Sequence, residues 1–336
     1  MQVTEIDPHD NAQLREWWEV SKAVEEYGRE GLATHWSLRA ATVAMRATTG
    51  PFGQVPLAVY VDGVIAGIHQ FRYPKLDNTH MVWVEPKVLP EYRRRGIGTA
   101  LMEDAERRTR ELGRTTMAAE INLPDDEAEE SGDLTFARKH GFEIGILDVH
   151  RMLELPVDPE LLDRLEADST PHHADYRLVT WQGRVPDEHM EGYCALQAAF
   201  NSEAPSGDMD VEDEVWDEAR VREVEERTAK QGRLETVTVA VDGSGRMAGL
   251  TEMMSTEETT EFAWQGGTLV LKSDRGHRLG MAMKVANLRA FTATLPQCRA
   301  VHSWNAEENG PMIAINDRLG FRAVERSAEL QRKLAP

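Results

Sequence analysis

Apolar runs over 57–61 (LAVYV) and 64–71 (VIAGIHQF) flank the polar pair Asp62-Gly63, which predicts a β-hairpin closed by a tight turn. The pattern returns over 236–241 and 247–253 around Asp242-Gly243. A longer strand-like run follows each hairpin, over 79–89 and 260–271, and leads through a glycine-bearing turn into a helix. Gly113 follows the first of these helices at a left-handed cap position, and Pro296 follows the second. Short strands are expected at 115–121 and 300–304, then in each half a helix ending at Gly-Phe and two final strands. Extended starts at 3–6 and 176–181 precede helical stretches, which in the second half include 188–200 and 212–230.

These parallels are an internal repeat. The segment 88–98 (VLPEYRRRGIG) matches 270–280 (VLKSDRGHRLG) at an offset of 182 residues. The hairpin turns Asp62-Gly63 and Asp242-Gly243 stand 180 apart, and Gly141-Phe142 and Gly320-Phe321 stand 179 apart. Three landmarks at nearly constant spacing mean that one unit is written twice. The expected division is a first domain over 1–155, a linker over 156–175 rich in proline with a short helix at 159–166, and a second domain over 176–336. Two acidic segments, 124–132 and 202–214, are expected as exposed loops.

Bulk composition narrows the function classes. The formal net charge is −20, a field that repels nucleic acid and anionic membrane and favours cationic partners. No apolar run reaches the roughly 18 residues of a membrane span, and the start of the sequence lacks the pattern of a secretory signal. Cys194 and Cys298 stand in no metal-ligand spacing and are expected as small buried hydrophobes in a reducing cytoplasm. No metal site is expected.

The turn at Arg93, Arg94, Arg95, Gly96, Ile97, Gly98 and Thr99 lies between a strand and a helix. Unpaired amides at a helix start make an anion site, and glycine lets a diphosphate approach the backbone. The run strand, Val-x-Pro-x-x-Arg-x-x-Gly-x-Gly, helix, strand and closing helix with Gly-Phe resembles the GCN5-related N-acetyltransferase (GNAT) family, in a tandem arrangement. The resemblance is carried mainly by 80–152 and 260–334. It implies an α/β (α+β) protein of two tandem domains, each a mixed, mostly antiparallel sheet with splayed central strands flanked by helices. It also implies acetyl-CoA as cosubstrate and a small-molecule primary amine as acceptor, in a monomer or homodimer. The coenzyme-binding residues it implies are Val88 and 93–99 in the first half. In the second they are Val270, Arg275, Gly276, His277, Arg278, Leu279, Gly280 and Met281, with Asn305 and Asn309 on the way to the closing helix.

The halves depart from the family in different places. Arg278 stands where the first half has Gly96, whereas Asn309 has as its counterpart Glu130 inside the acidic insertion. The tyrosine that this family often places on the closing helix to protonate the thiolate is replaced by Ala137 and Asn316. Amine attack on a thioester requires a neutral amine, and His80, Glu85 and Glu120 are the candidate bases of the first half. In the second, Gly267 aligns with Glu85, leaving Glu261 and His302. The alternatives are a coenzyme A-binding sensor or scaffold whose chemistry has lapsed, and a nucleotide-binding protein of another class.

Overall fold

The computed structural model describes residues 1–123 and 131–335; most of the first acidic segment, with Glu130, lies outside the described residues. The chain forms two compact units that are discontinuous in sequence. Unit 1 is Met1–Leu147 with Gly207–Glu212 and Glu325–Pro336, and unit 2 is Asp148–Ser206 with Asp213–Val324.

The sheet of unit 1 runs, in order, β1 (Thr4–Glu5), β2 (Phe52–Val61), β3 (Val64–Pro74), β4 (Met81–Val88), β5 (Thr116–Leu123) and β12 (Arg322–Lys333). Its pairs are antiparallel except β4 with β5. The amphipathic α1 (Asn11–Glu26) buries Leu14 and Trp17 against Ala58 and Ile68, beside α2 (Leu38–Met45). Asp10 starts α1 by accepting the amides of Ala12 and Gln13. A larger core joins Leu57, Phe71, Val84, Met117 and Leu330 to Met102 of α3 (Ile97–Glu111) and Leu134 of α4 (Gly132–Lys139).

Unit 2 repeats this plan. Its sheet order is β7 (Tyr176–Gln182), β8 (Arg233–Asp242), β9 (Met247–Thr256), β10 (Phe262–Val270), β11 (Ala300–Ala306) and β6 (Glu143–Glu154), with β10 and β11 parallel. Its helices are α5 (Pro159–Ser169), α6 (Met190–Glu203), α7 (Glu218–Lys230), α8 (Leu279–Thr294) and α9 (Gly310–Leu319). Met281, Val285 and Leu288 of α8 pack with Met253 of β9 and Val301 of β11.

Three expectations are corrected. Each half closes with one long strand instead of two, and most of that strand belongs to the sheet of the other unit: β12 pairs with β5, and β6 with β11. The segment expected as a linker holds α5, capped by Asp158, with Leu162 and Leu165 buried in the core of unit 2. The second acidic segment is not simply solvated. Met209 packs with Met81 and Ala118, and Asp210 pairs with Lys333 at 3.0 Å, so the middle of the segment is anchored in unit 1.

Candidate active site

In each unit the strand before the glycine-bearing turn ends at a valine whose carbonyl is held by the first arginine of the turn. Arg93 Nε donates to the Val88 carbonyl, and Arg275 Nε to that of Val270, both at 3.2 Å. Each turn then needs two left-handed residues, and the halves distribute them in opposite order. The first half has Arg94 at φ 64° and Gly96 at φ 84°; the second has Gly276 at φ 90° and Arg278 at φ 53°. Arg278 therefore adopts the backbone conformation of Gly96, at the roughly 1 kcal/mol that a side chain costs there. Its guanidinium turns aside to the Asp168 carbonyl at 2.9 Å, and His277 Nδ1 donates to the His172 carbonyl at 3.1 Å. Asp274, ahead of this turn, is buried and accepts from Arg246 and from the Tyr176 hydroxyl at 2.9 Å. The Arg246 hydrogen bonds lower its carboxyl to about 2.

Neither α3 nor α8 has a side-chain cap, so their first amides are open to an anion. A cavity of about 280 Å³ beside the second turn is lined by Gly276, Arg278, Met281, Ala314, Ile315 and Arg318. The backbone and cationic groups of both turns thus suit a phosphate-bearing ligand, and Arg95, bonded to the Glu91 carbonyl, stands exposed beside the first. Ile97, Leu279 and Met281 are buried, so they face such a ligand with backbone rather than side chain. Gly98 and Gly280 serve packing as well: a Cβ on Gly98 would stand 3.2 Å from Phe136, and one on Gly280 2.9 Å from Ile315. These glycines let the closing helix approach its neighbour. Thr99 follows on the half-buried side of α3.

The parallel strand pairs part beside these turns. β4 and β5 are paired only from Met81 and Thr116 to Trp83 and Ala118. β10 and β11 are paired only from Phe262 and Ala300 to Trp264 and His302. Beyond these pairs each unit has a wedge whose open side leads to the turn. In unit 2 the β9–β10 register also shifts between Gln265 and Thr268, so Gly266 and Gly267 have no ladder partner on β9 or β11. In unit 1 the β3–β4 ladder is regular there, and Pro86 supplies no amide.

Cross-strand register puts Gln70, Arg72, Trp83, Glu85 and Glu120 on one face of unit 1, bringing two of the expected bases together. Both carboxylates, with Glu329, act on the Arg72 guanidinium, whose pKa burial nevertheless lowers. Glu85 is also 3.7 Å from Lys87, which bonds Glu25 and Ser21 of α1. Burial alone would lower the Lys87 ammonium, but Glu25 and Glu85 together raise it. His80 is separated from these groups. It precedes β4 at the closed end of the wedge, where Nε2 donates to the Asp210 carbonyl at 2.9 Å. Eight residues of extended chain, about 26 Å, divide it from Val88. A sequence position near a strand does not tell which end of the wedge it occupies.

Unit 2 holds groups that sequence reasoning passed over. On the face of β9 that meets α6, the Glu252 carboxylate accepts from Tyr193 Oη at 2.8 Å and from Gln197 Nε2 at 3.1 Å. Burial pushes Glu252 up to about 7 against these hydrogen bonds, with Glu235 adding to the rise. On the opposite side of the sheet, buried Lys284 donates to Asn316 Oδ1 at 2.7 Å, and Asn316 Nδ2 donates to Asn305 Oδ1 at 2.6 Å. Desolvation lowers Lys284 to about 7. Asn305 is thus engaged inside this network, and Asn309 caps α9 by accepting the Met312 amide. The available signals were single charges in apolar surroundings: Glu252 in a hydrophobic strand, and Lys284 in the helix LGMAMKVANL. Of the second-half candidates, Glu261 is exposed before β10, and His302 is buried against His150, their ring nitrogens 2.8 Å apart.

In each unit a wedge between parallel strands thus opens toward an uncapped helix whose preceding residue is left-handed. Residues 55–144 match the family described as acetyltransferase (GNAT) domain. A tandem GNAT protein from the clavulanic acid biosynthesis pathway superposes over 100% of this chain and 99% of its own, with TM-score 0.80 and 27% identity. A GCN5-related N-acetyltransferase from Sphaerobacter thermophilus shares the fold over 100% of this chain and 96% of its own, with TM-score 0.67 and 17% identity. Among curated proteins, none matches the sequence. Residues 55–144 thus match a GNAT acetyltransferase domain, a family that uses acetyl-CoA, and the whole chain shares the fold of a tandem GNAT protein.

Proposed function

We propose that the protein transfers acetyl from acetyl-CoA to the primary amine of a small molecule, by direct attack while both substrates are bound. The observation that carries this reading is the wedge in each unit, with its uncapped helix start at one end and ionisable side chains on the sheet face beside it. The turns 93–99 and 275–281 would hold the diphosphate, and the strand ends at Val88 and Val270 would line the arm that carries the thioester. Holding amine and thioester in attacking geometry supplies much of the rate without further chemistry. Ala137 and Asn316 offer no acid to the leaving thiolate, which on this reading takes its proton from solvent. The net charge of −20 suits a cationic acceptor. The test is a screen of primary amines with acetyl-CoA, following the free thiol released. Saturable, amine-dependent release supports the reading; acetyl-CoA binding without release by any amine would favour a coenzyme A sensor instead.

A further inference from the structure

The two units differ most on the face where an acceptor would meet the wedge. In unit 1 the strand position of interest is Gln70, whose amide donates to Gln54 Oε1 at 2.6 Å. In unit 2 the position that corresponds to Gln70, 182 residues on, is Glu252, which lies opposite the register shift between Gln265 and Thr268. Its two oxygens are used differently. Oε1 takes both hydrogen bonds from α6, from Tyr193 and from Gln197. Oε2 faces Gly266, where an added Cβ would lie 3.6 Å from Oε2 and 3.2 Å from the Glu252 Cβ. Gly266 and Gly267 stand two and three residues past the last β10–β11 pair, near the apex of the wedge. Any side chain at 266 would fill the space that Oε2 overlooks. Gln265 fixes the strand by donating to the Glu252 carbonyl at 2.6 Å and to Thr251 Oγ1 at 3.1 Å.

Resting on the acetyl-transfer reading, the geometry points to Glu252 as the group that receives the acceptor's ammonium and takes its proton, and hence to unit 2 as the place of transfer. The Glu252 carboxylate accepts one proton from the ammonium. The freed electron pair on nitrogen forms the bond to the acetyl carbon, and the carbon–sulfur bond breaks with its electrons on sulfur. Nitrogen loses its second proton, sulfur gains one, and the other leaves from Glu252 to solvent. The charged and titratable groups around Glu252 are Tyr193 of α6 and Glu235 of β8, with Arg233 of β8 and Glu225 and Arg227 of α7 acting through Glu235. β10 contributes no charge here: Gly266 lies beside the carboxylate, and Gln265 reaches Glu252 only at its main-chain carbonyl. A carboxyl near neutrality suits an exchange with an ammonium at physiological pH, and burial has brought Glu252 to about 7. Glu85 of unit 1 is instead tied to Lys87.

The test compares the full chain with Glu252→Gln, Glu252→Asp and Glu85→Gln, using acetyl-CoA with n-butylamine, 1,4-diaminobutane or ethanolamine. Glu252→Gln should lower kcat at least tenfold while leaving KM for acetyl-CoA within about twofold, and should erase the rise in rate near pH 7. Glu252→Asp should restore part of kcat, and Glu85→Gln should lower it less than Glu252→Gln does. Wild-type rate and pH profile in Glu252→Gln, or the large loss in Glu85→Gln instead, would overturn the assignment while leaving acetyl transfer intact. If the wild type acetylates none of these amines, the transfer reading fails, and amine binding measured by calorimetry decides the site. Binding that Glu252→Gln abolishes would sustain Glu252 as an ammonium site; binding unchanged or absent in both proteins would overturn it.

Discussion

Lys284→Met places an uncharged chain of similar length where unit 2 now buries an amine. Lys284 is 2% exposed, its neighbour Asn316 is fully buried, and the Phe321 ring lies 5.3 Å from the ammonium. Desolvation lowers the lysine from 10.5 to about 7. Each unit of that difference is about 1.4 kcal/mol, so the charged form costs the folded state about 5 kcal/mol relative to the neutral one. The sign follows from the lower folded pKa. Between pH 7 and 10.5 the unfolded chain binds the proton more fully, so this group makes stability rise with pH across that window. Below pH 7 nearly the whole cost is present, whereas at about pH 10 only about 1 kcal/mol is left. The substitution also removes the donor to Asn316 Oδ1, at about 1–3 kcal/mol at any pH. Lys284→Met should therefore make unit 2 more stable by about 2–4 kcal/mol at about pH 6, and level or less stable at about pH 10. Urea-dependent hydrogen exchange on peptides from α8 and β11 reads this unit alone. Wild-type and variant curves that stay parallel from about pH 6 to pH 10 would refute the reasoning, because the lysine would then ionise alike folded and unfolded.

Asp274→Asn should cost unit 2 about 2 kcal/mol at pH 7, since the Arg246 hydrogen bonds hold this buried carboxyl at about 2 against an ordinary 3.8. Stability from a lowered acid is present above 3.8 and lost as pH falls toward 2, so the gap between variant and wild type should close over that range in acid denaturation. Leu330→Ala, deep in the core of unit 1, should cost about 3 kcal/mol and show as faster exchange in β4 and β5. The same loss appearing in β10 would contradict the assignment of β12 to unit 1.

The sequence by itself determined the repeat, the order of elements up to the closing helix of each half and the two turns. Those features rest on local physics: apolar runs bounded by turn residues for strands, glycine where the backbone turns left-handed, and unpaired amides where a helix begins. It also marked Arg278 as the point where the halves differ, although the turn keeps its shape because Arg94 and Gly276 trade places with Gly96 and Arg278. Only the tertiary structure decided which sheet receives the strands 143–154 and 322–333, because alternation identifies a buried face without naming the edge it joins. The same limit hid the working groups. Glu85 and Glu120 were legible as candidate bases on neighbouring strands, but nothing local says that they share a face or that Lys87 engages the first. Glu252 reads as one polar residue in an apolar strand until α6 brings Tyr193 and Gln197 to one of its oxygens and Gly266 leaves the other uncovered. A carboxylate's chemistry is set by what surrounds it in space, and those neighbours lie 55–59 residues away along the chain.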